Sequence, residues 1–172
     1  MPESEARSPL NRDTAFEEIE PTGKLTQLLD YWRHLRPRDL PRRTDIDLMR
    51  LAPELLPNVF LVDVLEQGQR FRWRLIGTQI VQHAGTDDTG LDLEIGVIPA
   101  MRAEVMAQNR QVVRERRPLC HRGYFVSRGL QFHRYERVML PVLSDDGTHV
   151  DTILGCSVFA SDSPPDRERT RA

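Results

Sequence analysis

The chain has 172 residues, of which 39% are hydrophobic and 29% charged, so it can bury the core of one ordinary domain. Its net charge is −2, and acidic and basic residues are mixed along the chain, which argues against nucleic acid or an anionic membrane as a partner. No apolar run approaches the ~18 residues that span a bilayer, and no signal peptide is recognisable at the start. We therefore expect a cytoplasmic protein whose two cysteines, Cys120 and Cys156, are reduced.

Composition divides the chain into one domain and two polar ends. Residues 1–21 are rich in Glu, Ser, Arg and Pro, and residues 161–172 are polar, charged and Pro-containing, so both segments are predicted to be disordered. Residues 22–160 between them form the predicted single domain. It comprises a helical N-terminal extension, residues 22–57, and a core, residues 58–160.

The first predicted helix begins after Thr22, its expected N-cap, and ends near Leu35 because Pro37 follows. Its apolar residues form one stripe at helical spacing. They are Leu25, Leu28, Leu29, Trp32 and Leu35. A stripe this bulky suits either of two roles, packing onto its own domain or forming a homodimer interface. The sequence leaves both roles open.

Alternation of apolar and polar residues predicts strands in the core. It is clearest at Phe71–Thr78, where large apolar residues alternate with arginines. The predicted strands cover residues 59–65, 70–77, 119–127, 131–143 and 149–160. The predicted helical segments are a short helix at 48–56, a turn at 79–84 and a long helix at 99–116.

Two hairpin turns determine the predicted register of the last three strands. If Arg128–Gly129 and Asp146–Gly147 are both two-residue turns, five polar side chains share one face. They are Arg122, Tyr124, His133, Tyr135 and Arg137. The same face carries the more continuously apolar side of the last strand, so we take it as the inner one. These residues are Val150, Thr152, Leu154, Cys156 and Val158.

Polar and charged side chains on an inner face, such as this polar cluster, need hydrogen-bonding or charged partners. A polar or anionic small molecule bound in a pocket would supply them. If the two faces are exchanged, the cluster is instead a solvated outer stripe. Trp73, Arg74 and His83 complete the candidate ligand-binding set. The sequence leaves open which of Trp73 and Arg74 faces the cluster. His83 is expected near the pocket mouth, although a lone histidine there also suits a structural role.

The same register bears on cysteine and metal chemistry. Cys120 and Cys156 fall two strands, or ~9–10 Å, apart, too far for a disulfide, so we expect inert free thiols. His121 and His133 fall on opposite faces, which argues against a shared zinc, and His121 is expected to face Glu136. Since no nucleophile, metal-binding or phosphate-binding motif is present, we predict neither a metal site nor an enzyme.

The element order is two strands, short helices, one long helix and three strands. It resembles the PAS fold, most closely that of a bacterial family of small stand-alone PAS proteins. The resemblance covers about residues 25–160. The segments that carry it are Tyr31–Trp32, Pro41–Asp47, Leu56–Asp63, Phe71–Thr78, Gly85, Gly90, Tyr135–Arg137 and Leu140–Pro141. It implies an α+β fold: a five-stranded antiparallel sheet with helices on one face, preceded by an N-terminal amphipathic helix.

The resemblance implies a sensory or protein-interaction role, commonly as a dimer, but it transfers no ligand. Flavin-binding PAS domains carry a cysteine in the region that corresponds to residues 83–90, and this region has none. Haem-binding PAS domains commonly use a histidine on the long helix, and residues 99–116 contain none. The sequence therefore argues against both cofactors.

Two functions remain. In the first, the protein is a sensor that binds a small polar or anionic ligand between the sheet and the long helix and signals through protein contacts. In the second, it is a ligand-free dimerisation or docking module that regulates a partner protein. A polar-lined cavity would favour the sensor, and a cavity too small for a ligand would favour docking.

Overall fold

The computed structural model of the chain describes residues 16–127 and 132–160, with the backbone alone at Phe132. The predicted disorder of residues 1–15 and 161–172 and the predicted turn at Arg128–Gly129 fall outside these residues. Within them, the chain forms an antiparallel sheet with helices on both faces.

The sheet contains the five predicted strands and a two-residue strand at one edge. In chain order they are β1 (Glu17–Glu18), β2 (Val59–Leu65), β3 (Arg70–Ile76), β4 (Leu119–Val126), β5 (Phe132–Leu143) and β6 (Val150–Phe159). Their spatial order is β1-β4-β5-β6-β2-β3, and all pairs are antiparallel. β-Branched and aromatic residues are frequent in the five longer strands, as expected on pleated, half-buried surfaces.

The edge strand β1 lies in the segment that the sequence predicts to be disordered. It pairs with β4, with Glu18 opposite His121. Just before it, the ring of Phe16 packs on Gly123, where the Cβ of any other residue would overlap that ring. The ordered domain therefore begins before residue 22, because one aromatic residue anchors an otherwise polar segment to the sheet.

Four α-helices occur in the described residues. They are α1 (Lys24–Leu35), α2 (Thr78–Ala84), α3 (Leu93–Gly96) and α4 (Pro99–Glu115). The predicted helix at 48–56 is replaced by 3₁₀ turns at Leu48–Arg50 and Leu56–Asn58. Pro53 and Pro57 account for this difference, because proline lacks the N–H that a continuous helix requires.

The two faces of the sheet carry separate cores. The face covered by α2, α3 and α4 is called the cavity face. Its core includes Phe60, Val62, Phe71, Ile80, Leu93, Met106, Met139, Ile153 and Phe159. The face covered by α1 is called the α1 face. Its core includes Leu25, Leu28, Leu29, Trp32, Val138, Leu140, Leu154 and Cys156.

The apolar stripe of α1 packs onto its own domain, which is the first of the two roles that the sequence leaves open. The exposed fractions are 1% for Leu25, 0% for Leu28, 5% for Leu29 and 8% for Trp32, and Leu35 is half-buried. The indole Nε1 of Trp32 also donates a hydrogen bond to the carbonyl oxygen of Pro141 at 2.9 Å. In this conformation the stripe is not free to form the predicted homodimer interface.

The predicted register is wrong by one residue on both sides of β5. Val126 pairs with Phe132, so five residues instead of two connect β4 to β5. At the next turn Leu143 pairs with Val150, as predicted, but a bulge then shifts every later β5–β6 pair by one residue. Because side chains alternate along a strand, each extra residue moves one strand's side chains to the opposite face.

This shift divides the predicted polar cluster between the two faces. Its members on the cavity face are His133, Tyr135 and Arg137; those on the α1 face are Arg122 and Tyr124. Three residues of β6 predicted to face inward with the cluster also lie on the α1 face. They are Leu154, Cys156 and Val158. Neither predicted alternative, a wholly inner or a wholly outer cluster, describes the protein.

Candidate ligand cavity

A cavity of about 100 Å³ lies between the cavity face of the sheet and the helices α2 to α4. Apolar side chains form most of its wall. They include Trp73, Ile80, Met101, Phe125 and Phe159. Polar or charged groups enter the wall at Thr86, Asp88, Tyr135 and Arg137. An apolar site with a few placed polar groups is the usual form of a small-molecule site.

Arg137 is the charged group that the sheet contributes to the cavity. Its Nε donates a hydrogen bond to Oγ of Ser157, directly opposite on β6, at 2.8 Å. Its guanidinium carbon lies 4.6 Å from the ring centroid of Tyr135 and 5.1 Å from that of Phe60. In the described part of the chain, no carboxylate lies within ion-pair distance of this guanidinium. Arg137 is therefore held in place by a hydroxyl and two rings and keeps donors for another group.

A series of hydrogen bonds connects Arg137 with the start of α1. The backbone carbonyl of Ser157 accepts from Nδ2 of Asn58 at 2.9 Å. Asn58 is 1% exposed, and its Oδ1 accepts from Nζ of Lys24, the first residue of α1, at 2.7 Å. Groups on both faces of the sheet are thus joined through two side chains and one backbone carbonyl.

Tyr135 and His121 are buried neighbours, each 2% exposed, at the β4 side of the cavity face. Oη of Tyr135 lies 3.4 Å from Nε2 of His121. Burial raises the pKa of the Tyr135 phenol, whereas burial and the charge of Arg137 lower the pKa of His121 to about 3. Both groups are therefore neutral at pH 7. The predicted pairing of His121 with Glu136 is wrong, since His121 faces Arg137.

Asp88 is the buried acidic group of the cavity wall, with 7% of its surface exposed. Its Oδ1 accepts a hydrogen bond from Oγ1 of Thr86 at 3.3 Å. Gly96 of α3 lies so close that a Cβ there would overlap the carboxylate. The carboxylate is thus held between Thr86 of its own loop and Gly96 of α3.

His83 of α2 and His133 of β5 meet beside the cavity. Their Nδ1 atoms are 3.4 Å apart, their ring centroids 5.3 Å apart, and their planes cross at 82°. His83 stacks on Phe159 at 3.9 Å and His133 on Phe125 at 4.7 Å, so each ring lies behind a wall residue. Burial and the neighbouring His83 lower the pKa of His133.

The predicted ligand-binding residues divide into three groups. Trp73, Tyr135 and Arg137 line the cavity, and His83 and His133 flank it. The remaining three are engaged on the other side of the sheet. Arg74 pairs with Asp63 at 2.7 Å, Arg122 pairs with Glu136 at 3.0 Å, and the guanidinium carbon of Arg134 lies 5.6 Å from the Tyr124 ring centroid.

Sequence reasoning missed most of the cavity wall, including Phe125, Phe159 and Asp88. In the structure Phe159 lies directly opposite Tyr135. Period-two alternation places Phe125 on the same side of β4 as His121, and Phe159 on the same side of β6 as Ser157. The predicted register between the strands was wrong, and it placed both rings on the face opposite to Arg137. Asp88 lies in a run of turn-forming residues, where no pattern distinguishes a buried carboxylate from a solvated one.

The two cysteines are free thiols, as predicted. Both face Val138, one from each neighbouring strand, which keeps them two strands apart. Burial raises the pKa of Cys120 to about 11 and that of Cys156 to about 12, so both are protonated at pH 7.

His121 and His133 lie on the same face of the sheet, so the predicted opposition of these two side chains is wrong. In residues 16–127 and 132–160, no cluster of three or more His, Cys, Asp or Glu side chains could hold a metal ion. No helix in the same residues has the length and apolar character needed to cross a bilayer.

Solved structures with the same fold include two light-oxygen-voltage proteins. The LOV protein of Rhodobacter sphaeroides is 16% identical, with a TM-score of 0.50 over 62% of this chain and 60% of that one. A fungal LOV domain photoreceptor is 15% identical, with a TM-score of 0.51 over 78% and 90% of the respective chains. The match thus spans about three fifths of the Rhodobacter protein. At these identities the likeness concerns the fold alone.

Sequence comparisons give the family. No curated protein matches the chain. A model of the PAS domain family matches residues 22–158, which is most of the chain and includes α1, strands β2 to β5, nearly all of β6 and every cavity-wall residue except Phe159. This match agrees with the sheet order, the position of the helices and the fold of the LOV proteins. The chain therefore belongs to the PAS domain family, a family of sensory and signalling modules.

Proposed function

We propose that this PAS domain senses a small molecule that combines an anionic or strongly accepting group with a compact apolar body. One observation carries the proposal: Arg137 enters a largely apolar cavity without an ion-pair partner in the described part of the chain. A guanidinium in such surroundings is unfavourable unless a charged or accepting group offsets its loss of water. A ligand carboxylate would supply that group, and Arg can bind it through two parallel hydrogen bonds.

The size of the cavity limits the ligand. Its volume of about 100 Å³ is below the ~300–1,000 Å³ of sites for drug-sized molecules. The cavity therefore accommodates only a small molecule. Both the volume and the single cationic group support a short-chain carboxylate better than flavin or haem.

Signalling requires that the ligand bind one conformation of the domain better than another. The hydrogen bonds from Arg137 through Ser157 and Asn58 to Lys24 offer a physical connection between the cavity and α1. A ligand that draws Arg137 further into the cavity would weaken its bond to Ser157. The change would then reach α1, whose docking governs how much of the α1 face a second copy or a signalling protein in the cytoplasm could contact.

The test uses short monocarboxylates of increasing length, with primary alcohols of matched size, added to the full chain. Calorimetric titration and thermal melting measure binding. We expect one acid to bind and raise the melting temperature, and the matched alcohol to do neither. Arg137→Gln should weaken binding at least roughly thirtyfold, since removing a partner from a desolvated ion pair costs ~2 kcal/mol or more.

Arg134→Gln is the matched control, because Arg134 is an exposed arginine on the same strand that faces away from the cavity. It should bind the acid like the unaltered protein. The sensor proposal is contradicted if no acid in the series binds, or if Arg137→Gln binds it as well as Arg134→Gln does.

The second candidate is a ligand-free docking module. The small volume of the cavity favours it, because a PAS domain with a nearly filled interior has little room for a signal molecule. Native mass spectrometry of freshly purified protein separates the two functions. A retained small molecule supports the sensor, whereas bare protein that binds none of the acids supports docking.

A further inference from the structure

The geometry points to a second site, which does not depend on the proposed ligand. We propose that His83 and His133 form a two-histidine site for a divalent transition metal, with Zn²⁺ as the simplest occupant. The bound metal would join α2 to β5 beside the cavity.

The distance between the two nitrogens suits a shared metal as well as a long hydrogen bond. The Nδ1 atoms are 3.4 Å apart, which is long for a hydrogen bond between the two rings. Two imidazole nitrogens bound to one tetrahedral zinc at ~2.05 Å lie ~3.3 Å apart. The observed distance between the two Nδ1 atoms therefore differs by about 0.1 Å from the distance expected at a tetrahedral zinc.

The ring orientation gives a second, separate agreement. If both rings point their Nδ1 atoms at one tetrahedral zinc, the two centroids lie ~5.2 Å apart. The observed separation of the centroids is 5.3 Å. Rings that faced each other along a straight N–H···N bond of the observed length would have centroids ~5.7 Å apart. The two Nδ1 atoms therefore point toward a common position that lies off the straight line between the ring centroids.

Both rings are fixed in this position from behind. Phe159 of β6 stacks on His83, and Phe125 of β4 stacks on His133. The rings therefore lose little further freedom when a metal binds, which favours binding.

Two coordination positions would remain for water or an added ligand. Both histidines are only half-buried, and no third His, Cys, Asp or Glu within residues 16–127 and 132–160 joins them in a metal-sized cluster. An open coordination sphere of this kind characterises sites that exchange ligands, whereas structural zinc sites are closed by four protein ligands. Imidazole ligands also suit Cu²⁺ and Ni²⁺, and Cu²⁺ binds such nitrogen sites more tightly than zinc.

The test is a titration of the chelator-treated full chain with Zn²⁺ at neutral pH, followed by calorimetry and by competition with a coloured chelator. We expect one zinc per chain and a melting temperature that rises with the zinc concentration, as for any ligand that binds the folded state alone. His83→Gln and His133→Gln should each weaken binding at least roughly a hundredfold, because the loss of a group that only supports a ligand already costs ~10–100-fold.

His34→Gln and His149→Gln are the matched controls, because these histidines lie on α1 and in the β5–β6 connection, away from the pair. Both should bind zinc like the unaltered chain. Hydrogen exchange tests whether the metal links α2 to β5. Zinc should slow exchange of the α2 amides in the unaltered chain but not in His133→Gln. The proposal is overturned if the unaltered chain binds no zinc, or if the double variant His83→Gln/His133→Gln binds it equally well.

Discussion

Lys24 donates a hydrogen bond from Nζ to Oδ1 of the buried Asn58 at 2.7 Å, and this contact places the first turn of α1 against a group that also touches β6. Asn58 donates in turn to the carbonyl oxygen of Ser157, whose hydroxyl accepts from Arg137. The cavity and the opposite face of the sheet are therefore joined by polar contacts, although a complete sheet separates them.

These contacts predict energetic coupling between side chains that do not touch. Lys24→Met and Arg137→Gln should together change the free energy of unfolding by an amount that differs from their sum by ~0.5 kcal/mol or more, since members of one network are not additive. Denaturant titration of both single variants and the double variant measures the difference. Lys24→Met with Arg134→Gln is the control pair and should add within ~0.3–0.5 kcal/mol. Equal additivity in both pairs would show that the contacts carry no coupling.

The burial of α1 predicts a large effect of truncation within a single chain. Leu28 is 0% exposed, so Leu28→Ala should lower the free energy of unfolding by ~2–5 kcal/mol through lost contacts and a new cavity. Leu35→Ala, at the half-buried end of the same stripe, should cost clearly less. Chemical denaturation gives both values.

Protein concentration distinguishes packing within the chain from packing between chains. If the stripe of α1 stabilises its own domain, the melting temperature of the unaltered protein should not change with concentration. A melting temperature that rises with concentration and loses this dependence in Leu28→Ala would instead assign the stripe to a homodimer.

The elements of this fold could be predicted from the sequence because they depend on local patterns. Strands β2 to β6 and the helix α4 begin and end within two residues of their predicted limits. The burial of α1 could not be predicted, because the same Leu and Trp stripe satisfies a sheet face of its own chain or of another. Which surface covers it is a tertiary fact.

The site depends on register, and register depends on single residues. Arg137 and Tyr135 were correctly grouped because they alternate on one strand, whereas Arg122 was wrongly added because the β4–β5 connection is longer than two residues. The bulge near Leu143 has no glycine or proline at its own position to reveal it. Two single-residue shifts of register thus place His121 and Ser157 opposite Arg137.

The burial of both thiols predicts slow cysteine chemistry. With pKa values of about 11 for Cys120 and about 12 for Cys156, a negligible fraction is thiolate at pH 8, and the thiolate is the reactive form. A disulfide reagent should label neither residue rapidly in the folded protein and both in urea. Cys120, which is half-buried, should react before Cys156. Rapid labelling of either thiol in the folded protein would contradict the assignment.

His121 predicts that the protein loses stability in acid. Its pKa is about 3 in the folded protein, because burial and Arg137 disfavour the charged form, and near 6.5 in the unfolded chain. Between these two values the unfolded chain binds the proton and the folded protein does not. The free energy of unfolding should therefore fall as pH decreases through this window, by at most ~1.4 kcal/mol for each pH unit from this one group.

The variant His121→Gln isolates this effect, because glutamine keeps a polar group near Tyr135 Oη and does not titrate. Denaturant titrations at several pH values between 6.5 and 4 should give a steeper loss for the unaltered protein than for the variant. Carboxylates with lowered pKa, such as Asp45 and Asp146, titrate in both proteins and cancel in the comparison. Parallel curves would mean that His121 accepts a proton in the folded state, which requires that water reach it beneath Phe16 and Tyr135.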